Sequence, residues 1–259
     1  MLTTIKNFIR LSGVNRRVFF SNLGNMPRYF RDVRAFKKQF KGNKDFKFGN
    51  YYPILMDRTD SGGSHSGHYF HQDLLVAQLI YQNRPIRHID IASRIDGFVA
   101  HVASFRSIEV FDIRPIDSKI SNIKFVQSDL MQLREENIEC TDSISSLHAI
   151  EHFGLGRYGD PIDFNGHLKG LENIYKMLKK GGKFYFSTPI GTQRVEFNAH
   201  RVFSIQYLLS IFQPKYEIIE FSYVDEKGDL HRNASLSEDN IKTNFNCELG
   251  CGIFEFIKK

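Results

Sequence analysis

The chain has 259 residues, of which 41% are apolar and 25% are charged, proportions that are ordinary for a soluble globular protein. This length allows one large domain or one domain with an extension, and the composition excludes a collagen-like, disulfide-framework or mostly disordered chain. No run of about eighteen apolar residues occurs, which excludes a spanning helix. The net charge of +6 is unevenly distributed along the chain.

Residues 1–48 form a basic arm, with twelve Lys and Arg against two acids, so the arm carries +10 and the remainder −4. Nine aromatic residues are interspersed with these bases. The plainest interpretation is that the aromatics pack on the body while the bases stay solvated. If the arm has a partner, an anionic membrane surface is favoured over nucleic acid. A transit peptide also lacks acids, but the pattern continues to residue 48, which favours mature structure.

The three cysteines, Cys140, Cys247 and Cys251, are an odd number and predict reduced thiols without a disulfide framework. Together with the lack of a secretory apolar segment, they predict a cytoplasmic protein, with membrane-peripheral attachment as a further expectation. Cys247 and Cys251 lack a second ligand pair, and a His65, His68 and His71 series lies in a Gly/Ser-rich stretch. The sequence therefore assigns no metal site.

The cluster of turn-forming residues at Asp60–Gly67 predicts a loop between the arm and the body. We expect a basic aromatic extension over residues 1–67 and an α/β domain over residues 68–259. In that domain, short apolar strands alternate with helical stretches. Predicted strands are His88–Ala92, Ile108–Asp112, Ile123–Gln127, Ser143–His148, Lys183–Thr188, Tyr216–Tyr223 and Gly252–Ile257, and predicted helices are His71–Gln82, Asp96–Phe105, His167–Lys180 and Ser204–Phe212.

This alternation predicts a mostly parallel, Rossmann-like sheet that binds ligands at the carboxyl ends of its strands. Asp112 ends the second strand, 22 residues after Asp90, where an acid can accept both hydroxyls of a ribose. Asp129 follows the third strand, where a carboxylate can accept a hydrogen bond from the amino group of an adenine.

Two later stretches complete a pattern, namely Leu147–His152 and the Lys179–Pro189 run with its paired glycines and Ser-Thr-Pro end. With these pieces in this order, the chain from about residue 88 resembles the class I S-adenosylmethionine-dependent methyltransferases. The resemblance implies a seven-stranded sheet with an antiparallel last strand and S-adenosylmethionine as cofactor. The implied cofactor-binding residues are Asp90, Ala92, Ser93, Gly97, Asp112, Asp129 and Leu130.

More particular stretches at 67–73, 93–98, 154–163 and 197–201 look like an uncharacterised methyltransferase-like family of the "domain of unknown function" kind. Such proteins carry a loose association with glycan biosynthesis. The first loop departs from the usual Gly-x-Gly-x-Gly, because Ala92, Arg94 and Asp96 occupy the glycine positions. Ala92 must therefore avoid or accept strain, and Arg94 must point away from the cofactor.

Methyl transfer needs an aligned acceptor and often a base that removes its proton. The candidate catalytic residues are His148, Glu151, His152 and His200. Residues 148–152 also match an inverted zinc-protease pattern, but their position at a strand end inside a βαβ series disfavours that reading. A divalent ion bound at this cluster in a methyltransferase is a more plausible alternative than a zinc protease. Local salt bridging of Glu151 and simple packing of the histidines remain the plain alternative.

The glycine-containing loop at 154–163 is typical of an active-site lid, although a plain surface loop has the same composition. Arg201 is a candidate anion clamp, and the stretch from His68 is expected to cover the pocket or only to pack where loop meets helix. Candidate substrate-binding residues are therefore His68, Tyr69, His71, Arg157, Tyr158, Asp160 and Arg201.

The favoured function is a methyltransferase that acts on a small polar acceptor such as a sugar or glycan precursor. One alternative is a catalytically silent methyltransferase-like binding or assembly protein, which the altered first loop motivates. The other is a nucleic-acid methyltransferase, which the basic arm motivates but which lacks the expected Asn/Asp-Pro-Pro-Tyr-type element.

Overall fold

The structure, a computed structural model, describes residues 16–41, 45–58, 63, 66–116 and 119–259. The chain divides into two compact units, one up to residue 64 and the other from residue 65 onward. Residues 1–15 of the basic arm lie outside the described residues, as does most of the predicted loop at 60–67. Among the residues that are described, no helix is both long and apolar enough to cross a membrane.

The N-terminal unit contains a long helix, α1 (Arg16–Phe40), and an extended segment at 45–58 that packs against it. The Phe40 ring meets the edge of the Phe48 ring at a centroid distance of 5.8 Å, and the Lys37 ammonium lies 4.8 Å from the centre of the Phe48 ring. These contacts cover only part of the apolar surface of α1. The side chains that stay exposed include Phe19, Phe20, Leu23 and Phe30.

The second unit alternates strands and helices. Its helices are α2 (His68–Asn83), α3 (Ala100–Ala103), α4 (Gly166–Met177), α5 (Ile205–Phe212) and α6 (Glu238–Thr243). Its strands are β1 (His88–Ile91), β2 (Ile108–Asp112), β3 (Ile123–Gln127), β4 (Thr141–Leu147), β5 (Leu178–Ile190), β6 (Arg194–Glu196), β7 (His200–Val202), β8 (Tyr216–Val224), β9 (Leu230–His231) and β10 (Gly250–Lys258). Short 3₁₀ turns lie at Glu135–Asn137, Ile150–His152 and Asn244–Asn246.

Within the described residues, eight strands form one sheet in the order β3-β2-β1-β4-β5-β10-β8-β9. The first five of these strands are parallel, and β10 lies antiparallel between β5 and β8. The predicted Rossmann-like sheet with an antiparallel last strand is thereby confirmed. The two-residue strand β9 adds an edge that the sequence did not predict.

Large apolar side chains point alternately to the two faces of the sheet along its strands, and each face is covered by its own core. Phe184 and Phe186 point to a core that includes α4 and α5, whereas Tyr185 points to a second core against α2 and α3. The same alternation separates Phe254 from Ile253 on β10. Side chains buried on both faces are typical of parallel α/β sheets, and they leave the strand ends as the place for a site.

Two predicted helices differ from the observed ones. The helix predicted to end at Lys180 stops at Met177, because Leu178 already has extended backbone and pairs with Thr141. The basic and glycine residues at 179–182, read as a helix cap, instead form an irregular start of β5. The helix predicted over 96–105 is a π-helical turn, Ile95–Val99, that continues into α3.

Candidate active site

A cavity of about 450 Å³ lies at the carboxyl ends of the parallel strands. Its lining includes Ala92 after β1, Asp112 at the end of β2, Ser128 after β3 and Leu147 at the end of β4. The volume is within the usual range for cofactor and small-ligand sites. The cavity therefore occupies the place where this class of sheet binds ligands.

The turn after β1 keeps a glycine-like backbone although it lacks the glycine. Ala92 has φ of 59°, in the left-handed region, and its amide donates to the Phe111 carbonyl at 2.9 Å. Left-handed backbone costs a non-glycine residue about 1–2 kcal/mol. The Arg94 guanidinium forms an ion pair with Asp96 at 2.7 Å, and its side chain is 65% exposed. Arg94 contributes to the cavity lining but is paired at its edge instead of filling it.

Asp90 supports this turn from behind. Its carboxylate accepts hydrogen bonds from the Ser93 amide at 2.9 Å, the Ser93 hydroxyl at 2.7 Å and the Ser145 hydroxyl at 2.6 Å. Burial raises the pKa of Asp90 to about 6, although these hydrogen bonds act in the opposite direction. Neither Asp90 nor Ser93 is part of the cavity lining, so both position the turn.

Gly97 also lies behind the cavity wall. A Cβ atom at Gly97 would come within 2.5 Å of the Asp73 Oδ2 atom, so the bare backbone lets this buried carboxylate approach. Gly97 was expected to bind cofactor, but the observed contact gives it a packing role at α2.

Asp112 and Asp129 do line the cavity, together with Leu130. Asp112 is almost fully buried, and it accepts from the Arg114 amide at 2.8 Å, from Nε at 3.1 Å and from Nη2 at 2.6 Å. Asp129 accepts from the Met131 amide at 2.9 Å through Oδ1. Arg114 was not predicted, although it follows Asp112 by two residues on the same sheet edge.

His148 follows β4 in a left-handed conformation, with φ of 49°, and its amide donates to the Ser187 carbonyl at 3.1 Å. Its Nδ1 atom lies 2.8 Å from Glu151 Oε1, while no hydrogen-bond partner of its buried Nε2 atom lies in the part of the chain that the structure describes. Burial lowers the pKa of His148, but the charges of Cys251 and Glu151 and the hydrogen bond to Glu151 raise it well above its ordinary value. Burial raises the pKa of Glu151, but the charges of His148 and His152 and the hydrogen bond to His148 lower it more strongly. The net result is a pKa below the ordinary value.

His152 has a defined tautomer. Its Nδ1 atom lies 2.7 Å from the Ala199 carbonyl oxygen, which can only accept, so Nδ1 carries the proton and Nε2 a lone pair. Burial lowers the pKa of His152, which keeps the imidazole neutral near pH 7. His200, on β7, also lines the cavity, and its buried Nε2 atom finds no hydrogen-bond partner within the described ranges.

The loop at 154–163 is organised by its own aspartate. Asp160 accepts from the amides of Gly154 at 2.7 Å, Gly156 at 3.2 Å and Tyr158 at 3.2 Å. The Asp160 carboxylate therefore bonds to main-chain amides of its own loop. In this loop conformation, the centre of the Tyr158 ring lies 4.5 Å from the Arg114 guanidinium. Arg157, Tyr158 and Asp160 all line the cavity.

The remaining expected substrate residues separate into two pairs. His68 and Tyr69 line the cavity, whereas His71 and Arg201 do not. The Arg201 side chain is buried and donates to the main-chain carbonyls of Glu151, Phe153 and Phe164. It therefore supports the backbone below the cavity, and its donors are not directed at an anion.

Several residues at the cavity were not predicted from the sequence. Pro189 and Leu249 line it, and Cys251 lies directly opposite Pro189 in the antiparallel pairing of β10 with β5. The Ser-Thr-Pro run could have indicated Pro189, since it ends the fifth predicted strand. Leu249 and Cys251 had no comparable signal, because the insertion of β10 between two earlier strands is a property of the topology.

The strand order, the antiparallel β10 and the cavity at the strand ends define the class I S-adenosylmethionine-dependent methyltransferase fold. Residues 86–247, more than half of the chain, match the family described as "Caenorhabditis protein of unknown function, DUF268", and the chain belongs to that family. A search of curated proteins finds no match.

Solved structures share this fold at low sequence identity. The 1,6-didemethyltoxoflavin-N1-methyltransferase of Burkholderia thailandensis, solved with 1,6-didemethyltoxoflavin and S-adenosylhomocysteine, matches at a TM-score of 0.52 and 12% identity over 73% of this chain and 78% of that chain. The N-methyltransferase NodS of Bradyrhizobium japonicum WM9 matches at a TM-score of 0.50 and 14% identity over 73% of this chain and 94% of its own. These similarities concern the fold alone.

Proposed function

We propose that this protein is an S-adenosylmethionine-dependent methyltransferase that acts on a small polar acceptor such as a sugar or glycan precursor. The observation that carries the proposal is the wall formed by Asp112, Asp129 and the turn at Ala92, all of which line one cavity at the strand ends. The glycine-like backbone at Ala92 supports close approach of a cofactor despite the altered sequence.

The residues of this wall fit the cofactor in kind. Asp112 would accept hydrogen bonds from the ribose hydroxyls, and Asp129 would accept one from the adenine amino group. The Leu130 side chain would pack against the base. When bound, S-adenosylmethionine supplies an electrophilic methyl group on a sulfonium. The protein then has to exclude water, hold the acceptor in line and remove its proton.

The other side of the cavity carries groups for an acceptor. His152 presents an Nε2 lone pair from a neutral imidazole, and we assign it as the general base. His200 and the lid residues Arg157 and Asp160 add polar groups to the same lining. Such a wall suits an acceptor with hydroxyl groups better than an apolar one.

Cofactor binding is tested by calorimetric titration of the full chain with S-adenosylhomocysteine. We expect one site per chain and a loss of at least tenfold in affinity in Asp112→Ala, because the ribose loses its carboxylate. Asp239→Ala, at an exposed position on α6, is the matched control and should bind like the wild type. Absence of binding to folded wild type would sink the proposal and favour the catalytically silent alternative.

Acceptor class is tested with labelled S-adenosylmethionine and a panel of sugars, nucleotide sugars, amines and short nucleic acids. The proposal expects label in the hydroxyl-bearing compounds and none of it in nucleic acid. Transfer to nucleic acid, with binding that weakens steeply as salt increases, would instead establish the nucleic-acid alternative.

A second proposal concerns α1, which we assign to peripheral contact with an anionic membrane surface. Phe19 and Phe20 are 56% and 67% exposed, and they share the helix with Arg31, Arg34 and Lys38. Exposed aromatics and bases together favour a lipid headgroup boundary. Sedimentation with phosphatidylserine vesicles should retain the wild type, and Phe19→Ser/Phe20→Ser should weaken this binding several-fold. Equal binding to neutral vesicles would contradict the assignment.

A further inference from the structure

Three side chains from distant parts of the second unit meet beside the cavity. They are His68 at the start of α2, His148 after β4 and Cys251 on β10, and their nitrogen and sulfur atoms lie within 4.8 Å of one another. We propose that they form a binding site for a divalent transition-metal ion of the zinc type, with a fourth position left for a ligand from the cavity.

The outer hydrogen bond of His148 favours this assignment. His148 donates through Nδ1 to Glu151 at 2.8 Å. Metal-binding histidines usually fix their second ring nitrogen in this way, on a carboxylate or a backbone carbonyl. The His148 ring therefore has one nitrogen anchored by the protein and the other available to an ion.

The His148 Nε2 atom provides a second and independent observation. The His148 side chain is 6% exposed, and its Nε2 atom has no hydrogen-bond partner among the described residues. Buried polar atoms without partners are costly and rare, so this one needs an explanation. A metal ion on Nε2 supplies the missing interaction.

The ligand types define the class of metal. Two imidazoles and one thiolate favour Zn²⁺, Co²⁺ or Cu²⁺ over Mg²⁺ and Ca²⁺, which prefer oxygen. Three protein ligands with one open position are typical of catalytic zinc sites. His68 and His148 both line the cavity, so a ligand in that position would come from the cavity.

The atoms need only a local adjustment to bind one ion. Zn–N bonds of about 2.0 Å and Zn–S bonds of about 2.3 Å place the two nitrogens and one sulfur of a tetrahedral site about 3.3–3.5 Å apart. The present separations of up to 4.8 Å exceed this by about 1 Å. The rings of His68 and His148 are parallel within 6°, so one ring must also rotate. His68 is the half-buried member and can make that movement.

The surroundings of Cys251 argue against a role as a catalytic nucleophile. Its side chain is fully buried, so a substrate in the cavity does not reach the sulfur. The sulfur is 3.8 Å from Gln72 Oε1, an oxygen that also accepts from the Ser187 hydroxyl. These contacts hold the sulfur in place at the back of the site. Metal binding releases the thiol proton to solvent, and the thiolate that remains is the ligand.

The test is a titration of metal-free full chain with Co²⁺, followed by absorption spectroscopy. We expect one equivalent to bind, with a thiolate-to-cobalt charge-transfer band and tetrahedral d–d bands, and we expect Zn²⁺ to displace it. Cys251→Ser should abolish the charge-transfer band. His68→Asn, at the half-buried ligand, should lower the affinity at least tenfold without disturbing the fold.

The matched control is Cys140→Ser/Cys247→Ser, which removes the other two cysteines and should keep the band. Circular dichroism and binding of S-adenosylhomocysteine verify that each variant is folded. Neither measurement reports on metal binding. The metal assignment is wrong if the band persists in Cys251→Ser or if folded wild type shows no band at saturating Co²⁺. A negative result for S-adenosylhomocysteine with a positive cobalt spectrum would overturn the proposed cofactor alone.

Discussion

Arg114 occupies both carboxylate oxygens of Asp112, with Nε on Oδ1 at 3.1 Å and Nη2 on Oδ2 at 2.6 Å. The Arg114 amide takes a further position on Oδ1 at 2.8 Å. A carboxylate offers about four acceptor positions, so the present arrangement leaves too few for both hydroxyls of a ribose. The guanidinium must move when a ribose binds to Asp112, and Tyr158 of the loop at 154–163 packs on that guanidinium.

The first prediction is that Arg114→Ala binds S-adenosylhomocysteine about two- to fivefold more tightly than the wild type. The Arg114 side chain is 48% exposed, and partly exposed ion pairs of this kind contribute about 0–1 kcal/mol. Calorimetric titration measures the change, with the exposed Arg134→Ala as control. A loss of affinity as large as that of Asp112→Ala would show that Arg114 binds the ligand itself.

The second prediction compares two glycines of the loop at 154–163. A Cβ atom at Gly154 would lie 2.0 Å from the Asp163 carbonyl oxygen, at φ of +76°, so Gly154→Ala combines backbone strain with a main-chain clash. We expect it to lower the free energy of unfolding by about 3 kcal/mol or more. Gly159→Ala has φ of +86° and no atom within 4 Å, so only about 1 kcal/mol is expected.

Urea denaturation of both variants measures this difference. If the two substitutions destabilise the protein equally, the close contact of Gly154 with Asp163 is not a feature of the folded protein. If Gly154→Ala leaves stability unchanged but weakens acceptor binding, the lid is ordered only when the acceptor is present.

The positions of the strands along the chain could be predicted well because local signals mark them. β2 and β3 have the predicted bounds, since polar or turn residues border each apolar run. The end of α4 was mispredicted because Lys179–Gly182 has the composition of a helix cap, whereas pairing with β4 imposes extended backbone from Leu178. Tertiary pairing overrides a local preference there.

The candidate site could be predicted only where its residues follow strand ends. Asp112 and His148 met that condition, and both line the cavity. Cys251 lies 103 positions after His148, and only the insertion of β10 beside β5 brings it close. The structural role of Arg201 could not be predicted either, because no sequence pattern indicates that its side chain is buried and donates to backbone carbonyls.

The third prediction concerns the base. His152→Asn should reduce methyl transfer by about 10²- to 10⁴-fold, the usual contribution of a general base, while binding of S-adenosylhomocysteine stays within twofold. Because burial lowers the pKa of His152, the wild-type kcat/KM should be constant at neutral pH and fall on the acid side, below the ordinary histidine value of about 6.5. His101→Asn, on the exposed face of α3, is the control.

Rates are measured with the acceptor that the panel identifies. An unchanged rate in His152→Asn would remove His152 from the mechanism and leave His200 as the candidate. A fall in rate that accompanies an equal loss of cofactor binding would instead indicate a structural role.

The last prediction follows from the hydrogen-bonded row beneath the site. The His88 ring lies between the hydroxyls of Ser143 at 2.7 Å and Ser145 at 3.1 Å, and Ser145 donates onward to Asp90 at 2.6 Å. Because Ser145 donates its proton to Asp90, it accepts from His88 Nε2, and His88 Nδ1 accepts from Ser143. Burial lowers the pKa of His88 to about 3, so this ring is neutral.

Burial raises the pKa of Asp90 to about 6 in the folded protein, from 3.8. Between these two values the native state keeps a proton that the unfolded state has lost, so the free energy of unfolding falls as pH increases through this range. A shift of this size corresponds to about 3 kcal/mol. His88 has the opposite slope below pH 6.5, because its native pKa is the lower one.

Asp90→Asn isolates the aspartate, since His88 is common to both proteins. We expect the free energy of unfolding of Asp90→Asn, relative to wild type, to increase by about 2.5 kcal/mol from pH 4 to pH 7, because only the wild type has to ionise a buried carboxyl group. Urea unfolding at several pH values measures it, and Asp239→Asn on the surface should show no such trend. Parallel pH profiles for wild type and Asp90→Asn would mean that Asp90 titrates as it does in the unfolded chain, and that the turn at Ala92 rests on an already ionised carboxylate.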